Sequence, residues 1–217
     1  MICVSLAERG LDACLAALKG IPFAEIRLDM AGLALKEVRK LFSGHANLIA
    51  TCRPGRLGEA RRRSLLVAAI ESGAAYVDIE FDAPPSYRKE IVARARDAGC
   101  SIIVSFHDYG KTPERKVLEK VIRASFRMGA DIVKIACMVR DEADNSRLLR
   151  LLDGSKKIVV VGMGEAGRVT RVAAPLSGSP FTFASLPKGR QTADGQIDHE
   201  TLKEIFRVVA PRKAGLP

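Results

Sequence analysis

The sequence predicts one domain, residues 1–217, folded as a compact (β/α)8 TIM barrel. Three observations predict it: eight short β-rich runs, helix-like segments between them, and charged side chains at alternate positions within several runs. Strands that alternate with helices imply a parallel sheet. Eight units in 217 residues leave about 27 residues per unit, which is small but sufficient for this fold.

The runs are ICVSL (2–6), FAEIRLDM (23–30), NLIATCR (47–53), YVDIEF (76–81), SIIVSF (101–106), DIVKIACM (131–138), KIVVVGM (157–163) and FTFASL (181–186). Between them EARRRSLLVAAIESG (59–73), SYRKEIVARARDAGC (86–100), TPERKVLEKVIRASFRMG (112–129) and HETLKEIFRVVA (199–210) carry apolar residues three and four apart, the spacing of one helical face. Thr112 followed by Pro113 reads as a helix N-cap and first turn, and Gly73, Gly99 and Gly129 read as helix ends. In the second run Glu25, Arg27 and Asp29 alternate with Ile26 and Leu28, and in the fourth Asp78 and Glu80 share a face. Successive strand side chains point to opposite faces, and barrel strands turn one face to the helices. The charged set therefore points into the barrel, towards the C-terminal rim where sites on this fold lie.

Composition narrows the function. A net charge of +10 attracts anions, nucleic acid among them, but RPGRLGEARRRS (53–64) has no interleaved aromatics and leads into a helix pattern, so it reads as a solvated helix face. No nucleic-acid partner is expected. Five scattered cysteines without a CxxC pair fit free thiols, and three scattered histidines offer no zinc spacing, so no metal is expected. No apolar run reaches the roughly 18 residues of a membrane span, and charges follow the N-terminal methionine closely, so the expectation is a cytoplasmic protein with no membrane partner.

The stretch IVVVGMGEAGRVTR (158–171) contains GxGxxG at Gly162, Gly164 and Gly167. A dinucleotide site needs this turn after the first strand and a carboxylate at the end of the next. Here it follows the seventh strand, and the next run ends in FTFASLPKG without one. A different ligand suits the position better, because barrels often bind an anion there on helix-start amides, with Arg171 and Arg168 adding charge. A plain tight turn beside two wet arginines is the alternative.

Two residues carry candidate chemistry. Lys134 shares a strand face with Ile132 and Ala136, where desolvation would lower its pKa and leave a neutral amine able to form a Schiff base. A structural lysine paired with Glu80 or Glu25 fits the same position. His107, at the end of the fifth run, would be available for proton transfer near neutral pH.

Together EIRLD (25–29), TCR (51–53), SFHDY (105–109) with KTP (111–113), DIVKIA (131–136), VTR (169–171) and TADGQ (192–196) resemble type I 3-dehydroquinate dehydratase, in the family's order and over most of the chain. The resemblance implies conversion of 3-dehydroquinate to 3-dehydroshikimate in the shikimate pathway, without cofactor, by a homodimer. It implies that Lys134 forms the imine and that His107 is base and then acid. Glu25, Arg27 and Arg53 would hold ring hydroxyls, while Arg171, Thr192 and Gln196 would take the carboxylate. The loop 188–196 would be a closing lid.

Three positions depart from the family. Thr192 and Asp194 replace its common serine and proline. The glutamate that orients the histidine is missing shortly after the TxR motif, where Leu57 stands, which leaves Glu59 or the inward Glu80 for that role; Glu80 is favoured. A class I aldolase would share the lysine and barrel, but the HDY, KTP and TADGQ segments count against it. The last helix, with Ile205, Phe206 and Val209, is either a dimer contact or a barrel-packing helix.

Overall fold

The computed structural model describes residues 1–187 and 192–209. Eight strands alternate with helices: β1 (Ile2–Leu6), α1 (Leu11–Leu18), β2 (Ala24–Arg27), α2 (Leu28–Ala31), α3 (Leu35–Ser43), β3 (Leu48–Thr51), α4 (Glu59–Ile70), β4 (Tyr76–Glu80), α5 (Pro85–Asp97), β5 (Ser101–Asp108), α6 (Arg115–Arg127), β6 (Ile132–Met138), α7 (Glu142–Leu149), β7 (Ile158–Met163), α8 (Arg168–Leu176), β8 (Thr182–Ala184) and α9 (His199–Val209). All ladders are parallel, in the order β7-β6-β5-β4-β3-β2-β1-β8. β7 and β8 lie side by side but, among the described residues, share no ladder. The expected (β/α)8 barrel is the fold.

Alternation along the strands separates two apolar layers. Val4, Leu6, Ala24, Ile26, Ala50, Val77, Ile79, Val104, Val133, Ile135 and Val160 face outward and pack with Val38, Leu41, Leu65, Leu66, Ile91 and Leu118 of the helices. Their neighbours Cys3, Ile49, Ile103, Ile132 and Val159 face inward with Phe23, Phe181 and Phe183 and plug the N-terminal end. Above the plug the same face turns polar and buried: Ser5, Glu25, Thr51, Asp78, Ser105 and Lys134.

Four local expectations are corrected. β2 ends at Arg27, and its run continues as the single turn α2, closed by Gly32 at φ 66°. β5 runs on through His107 and Asp108, which pair with Ala136 and Cys137, so His107 lies within the strand. Thr112 is not a helix cap, because α6 starts at Arg115 and the Thr112 hydroxyl donates to the Met138 carbonyl at 2.8 Å. Arg62 is not on a solvated face; it is 8% exposed, donates to the Cys52 carbonyl at 3.0 Å and lies over the Tyr87 ring. Gly73, Gly99 and Gly129 do follow helix ends, each with positive φ.

Candidate active site

A cavity of about 450 Å³ opens at the C-terminal rim, lined by Glu25, Arg27, Arg53, His107, Lys134, Arg171, Thr192 and Gln196 among others. Glu80 stands just behind, hydrogen-bonded to His107. Lys134, His107, Glu80 and the six candidate substrate-binding residues thus converge on one place. Glu59 does not: it is exposed and pairs with Arg63 at 2.6 Å.

β6 delivers Lys134 and β5 delivers His107, and their registers place Ser105 opposite Lys134 and His107 opposite Ala136. Lys134 is 7% exposed, with Nζ 4.0 Å from Glu25 Oε1, 3.9 Å from Asp78 Oδ2 and 4.0 Å from the centre of the Phe183 ring. Burial lowers its pKa; Glu25 and Asp78 oppose that only in part, and Arg53 adds to it. Both readings of Lys134 therefore meet in one geometry: carboxylates flank it, yet none is within hydrogen-bonding distance.

His107 Nδ1 lies 3.0 Å from Glu80 Oε2. Desolvation lowers the imidazole pKa first, Arg53 lowers it further, and the Glu80 hydrogen bond raises it without reversing the net direction. The loop motif after His107 has a visible division of labour. Asp108 accepts the Gly110 and Lys111 amides at 3.0 Å each, Tyr109 stacks on the imidazole with ring centres 5.8 Å apart, and Thr112 ties the loop to β6.

Arg53 grips Asp78 with two bonds, at 2.8 and 3.0 Å, and reaches Glu80 at 2.5 Å. It also contacts the Ser105 hydroxyl, which donates to Asp78. Its guanidinium therefore positions the carboxylate that holds His107, a duty the sequence did not reveal. Burial alone would raise Asp78, but Arg53 and Lys134 bring it down to about 2. Glu25 accepts from Ser5 at 2.5 Å and Thr51 at 2.9 Å, and despite burial it is held low by Lys134, Arg53 and Arg27. Arg27 is fixed by a two-point bond to Asp29 at 3.0 and 2.7 Å. Asp29, Asp78 and Phe183 are site residues to which no role was assigned from sequence; strand alternation in YVDIE and FTFA is the signal that points Asp78 and Phe183 inward, whereas Asp29 reaches the site from the turn α2.

On the opposite wall Arg171, from α8, is 1% exposed and, among the described residues, is paired with no carboxylate. Its Nη1 and Nη2 donate to the carbonyls of Phe183 and Asp194 at 3.2 and 3.4 Å, and among the described residues its buried Nε has no partner. Desolvation, with Arg168 nearby, depresses its pKa to about 10. Such a guanidinium is a ready receptor for an anion.

The Gly162 N–H donates to Thr170 Oγ1 at 2.8 Å and the Gly167 N–H to the Gly164 carbonyl at 3.1 Å, so both amides are engaged within the turn. Arg168 is exposed and paired with Glu165, away from the cavity. Asp194 is exposed at the rim. Residues 188–191 of the proposed lid, and residue 210 at the end of the last helix segment, lie outside the described residues.

Comparison with known proteins agrees with the geometry. The family model for type I 3-dehydroquinase matches residues 2–212. The 3-dehydroquinate dehydratase of Methanothermobacter thermautotrophicus is 40% identical over 213 residues, covering 94% of this chain and 90% of that protein. That of Methanosarcina mazei is 33% identical over 212 residues, covering 89% and 88%. The crystal structure of the 3-dehydroquinate dehydratase from Geobacillus kaustophilus superposes with a TM-score of 0.84 at 25% identity, covering 97% of this chain and 92% of that one. With its barrel, its convergent rim residues and a match over almost its whole length, the chain belongs to the type I 3-dehydroquinase family.

Proposed function

We propose that the protein dehydrates 3-dehydroquinate to 3-dehydroshikimate through a Schiff base on Lys134, as a hydro-lyase of the shikimate pathway. The observation that carries this reading is the placement of a desolvated lysine and a carboxylate-held histidine on adjacent strands, in one cavity whose far wall offers a buried arginine that has no counter-ion among the described residues.

The substrate carboxylate docks on Arg171, with Thr192 and Gln196 beside it, while Glu25 and Arg27 meet ring hydroxyls and Arg53 braces Glu80 under His107. Neutral Lys134 attacks the ring ketone and a water leaves as the imine forms. The protonated imine acidifies the adjacent carbon by accepting its electron pair. His107, oriented by Glu80, removes that proton and returns it to the departing hydroxyl, so a second water is expelled and the imidazole is restored. Hydrolysis of the imine consumes one water and releases product, for a net loss of one. No step calls for a metal or a nucleotide cofactor. We further propose a homodimer located in the cytoplasm; among the described residues no helix is long and apolar enough to cross a membrane.

Borohydride reduction in the presence of 3-dehydroquinate, followed by peptide mapping, tests the scheme. An adduct is expected on Lys134 in the unmodified protein. Lys134→Ala should give neither adduct nor turnover, whereas His107→Ala should still trap the adduct while turnover drops roughly 10²–10⁴-fold. Activity retained in Lys134→Ala would reject the mechanism.

A further inference from the structure

The glycine turn after β7 is the one sequence motif that the proposed chemistry leaves unused. Its glycines face two ways. A Cβ on Gly167 would lie 2.8 Å from the Gly162 Cα, so this pair lets the turn fold back on its own strand. Gly164, at φ 78°, is instead sandwiched between two rim segments. Its own Cβ would stand 3.0 Å from Met138 Sδ, and a Cβ on Gly195 would stand 2.8 Å from the Gly164 carbonyl carbon and closer still to its oxygen. The first contact is tight but a methionine side chain can give way, whereas real Cβ atoms essentially never come as near to backbone as the second. Only glycine at 195, itself at φ 73°, lets the segment 192–196 rest directly on the Gly164 peptide.

What rests there is a small closed unit. Gln196 Oε1 accepts the Thr192 N–H at 2.7 Å and the Ala193 N–H at 3.3 Å, and Gln196 Nε2 donates to the Thr192 hydroxyl at 3.1 Å. Arg171 Nη2 donates to the Asp194 carbonyl at 3.4 Å. Among the described residues the segment is thus folded about one glutamine and meets the barrel where Gly195 lies on Gly164 and where Asp194 meets Arg171.

We propose that the glycine turn is a seat for this segment, with Gly164 and Gly195 as positioning residues that fix Thr192 and Gln196 over the cavity beside Arg171. The anion site is then assembled by one backbone lying on another, while the Gly162 and Gly167 amides stay engaged within the turn. This rests on the reading of Thr192, Gln196 and Arg171 as carboxylate-binding residues.

Amide hydrogen exchange of the full chain, read by mass spectrometry, tests the seat alongside steady-state kinetics with 3-dehydroquinate. In the unmodified protein the amides of 192–197 should exchange at least about tenfold more slowly than those of exposed Gly55 and Arg56. Gly195→Ala should abolish that difference without changing the sheet amides, and should raise KM about tenfold with kcat within about twofold, the mark of lost ground-state binding. Gly195→Asn separates the causes, because asparagine tolerates left-handed backbone but keeps the clashing Cβ. If both variants raise KM alike, contact with Gly164 is responsible. Recovery of KM in the asparagine variant would assign the effect to backbone strain and overturn the seat, as would segment amides that exchange as fast as Gly55 in the unmodified protein. If the unmodified protein does not turn over 3-dehydroquinate, the functional reading fails, and the exchange arm still decides the seat.

Discussion

At His107 opposing influences meet within a few ångströms: desolvation and the Arg53 charge favour the neutral ring, and the Glu80 carboxylate favours the imidazolium. The carboxylate can be withdrawn without touching the ring. In Glu80→Gln the imidazolium loses its anionic partner, so the His107 pKa falls further. A general base must be neutral, and the acidic limb of the kcat/KM profile follows the free-enzyme pKa. That limb should therefore move to lower pH, with the plateau lowered about 10–100-fold by loss of one charge-assisted orienting bond. A profile superimposable on the parent's would remove Glu80 from the scheme. At this scale much was legible in the sequence: a lysine amid an apolar strand and a histidine after SIIVSF are conspicuous. The second duty of Arg53 was not, because one arginine meeting carboxylates from another strand depends on a register that a sequence does not display.

Among the elements, all eight strands were visible as apolar runs, because a strand covered on both faces must be apolar over most of its length. Their ends were harder. EIRLDM alternates well enough to continue as a strand, yet Arg27 and Asp29 bond to one another and the chain coils into α2. Arg62 was misplaced for a related reason: a run of three arginines looks wet, but helical geometry turns the middle one onto Tyr87 and the end of β3. The turn joining β7 to α8 gives a prediction at this scale. Gly167→Ala forces a methyl onto the Gly162 backbone and should cost about 1–3 kcal/mol in chemical denaturation, the usual effect of overpacking. Gly58→Ala, where nothing stands within 4 Å, should cost less than Gly167→Ala, its loss limited to the poorer capping of α4 by alanine. Equal stability of the two variants would show that the close approach is not real.

For the molecule as a whole, the barrel interior concentrates charge that ordinary cores exclude. Asp78 falls from 3.8 to about 2 in the folded state, so its stabilisation is present in full above about pH 4 and is lost as pH drops towards 2. The stability deficit of Asp78→Asn relative to the parent, measured by urea unfolding, should accordingly shrink between pH 5 and pH 2. A deficit constant over that range would mean that the carboxylate is not held low. Assembly is a second question at this scale. Val169 and Leu176 on α8 and Val208 and Val209 on α9 are exposed apolar residues on neighbouring helices. Sedimentation should give twice the chain mass, reduced to a single chain by Val208→Asp; a monomer at every micromolar concentration would end the dimer proposal.

The unpaired meeting of β7 and β8 has a mechanical meaning. A hoop fastened everywhere but at one joint flexes there first, because parting those two strands breaks no main-chain bond of the sheet among the described residues, while parting any other pair breaks several. Arg171 and the 192–196 segment flank that joint, whereas β5 and β6 lie inside the fastened arc. Opening at that joint would leave the separation of Lys134 and His107, the proposed nucleophile and base, unchanged, as a hinged clasp opens without disturbing the stones set on its far side.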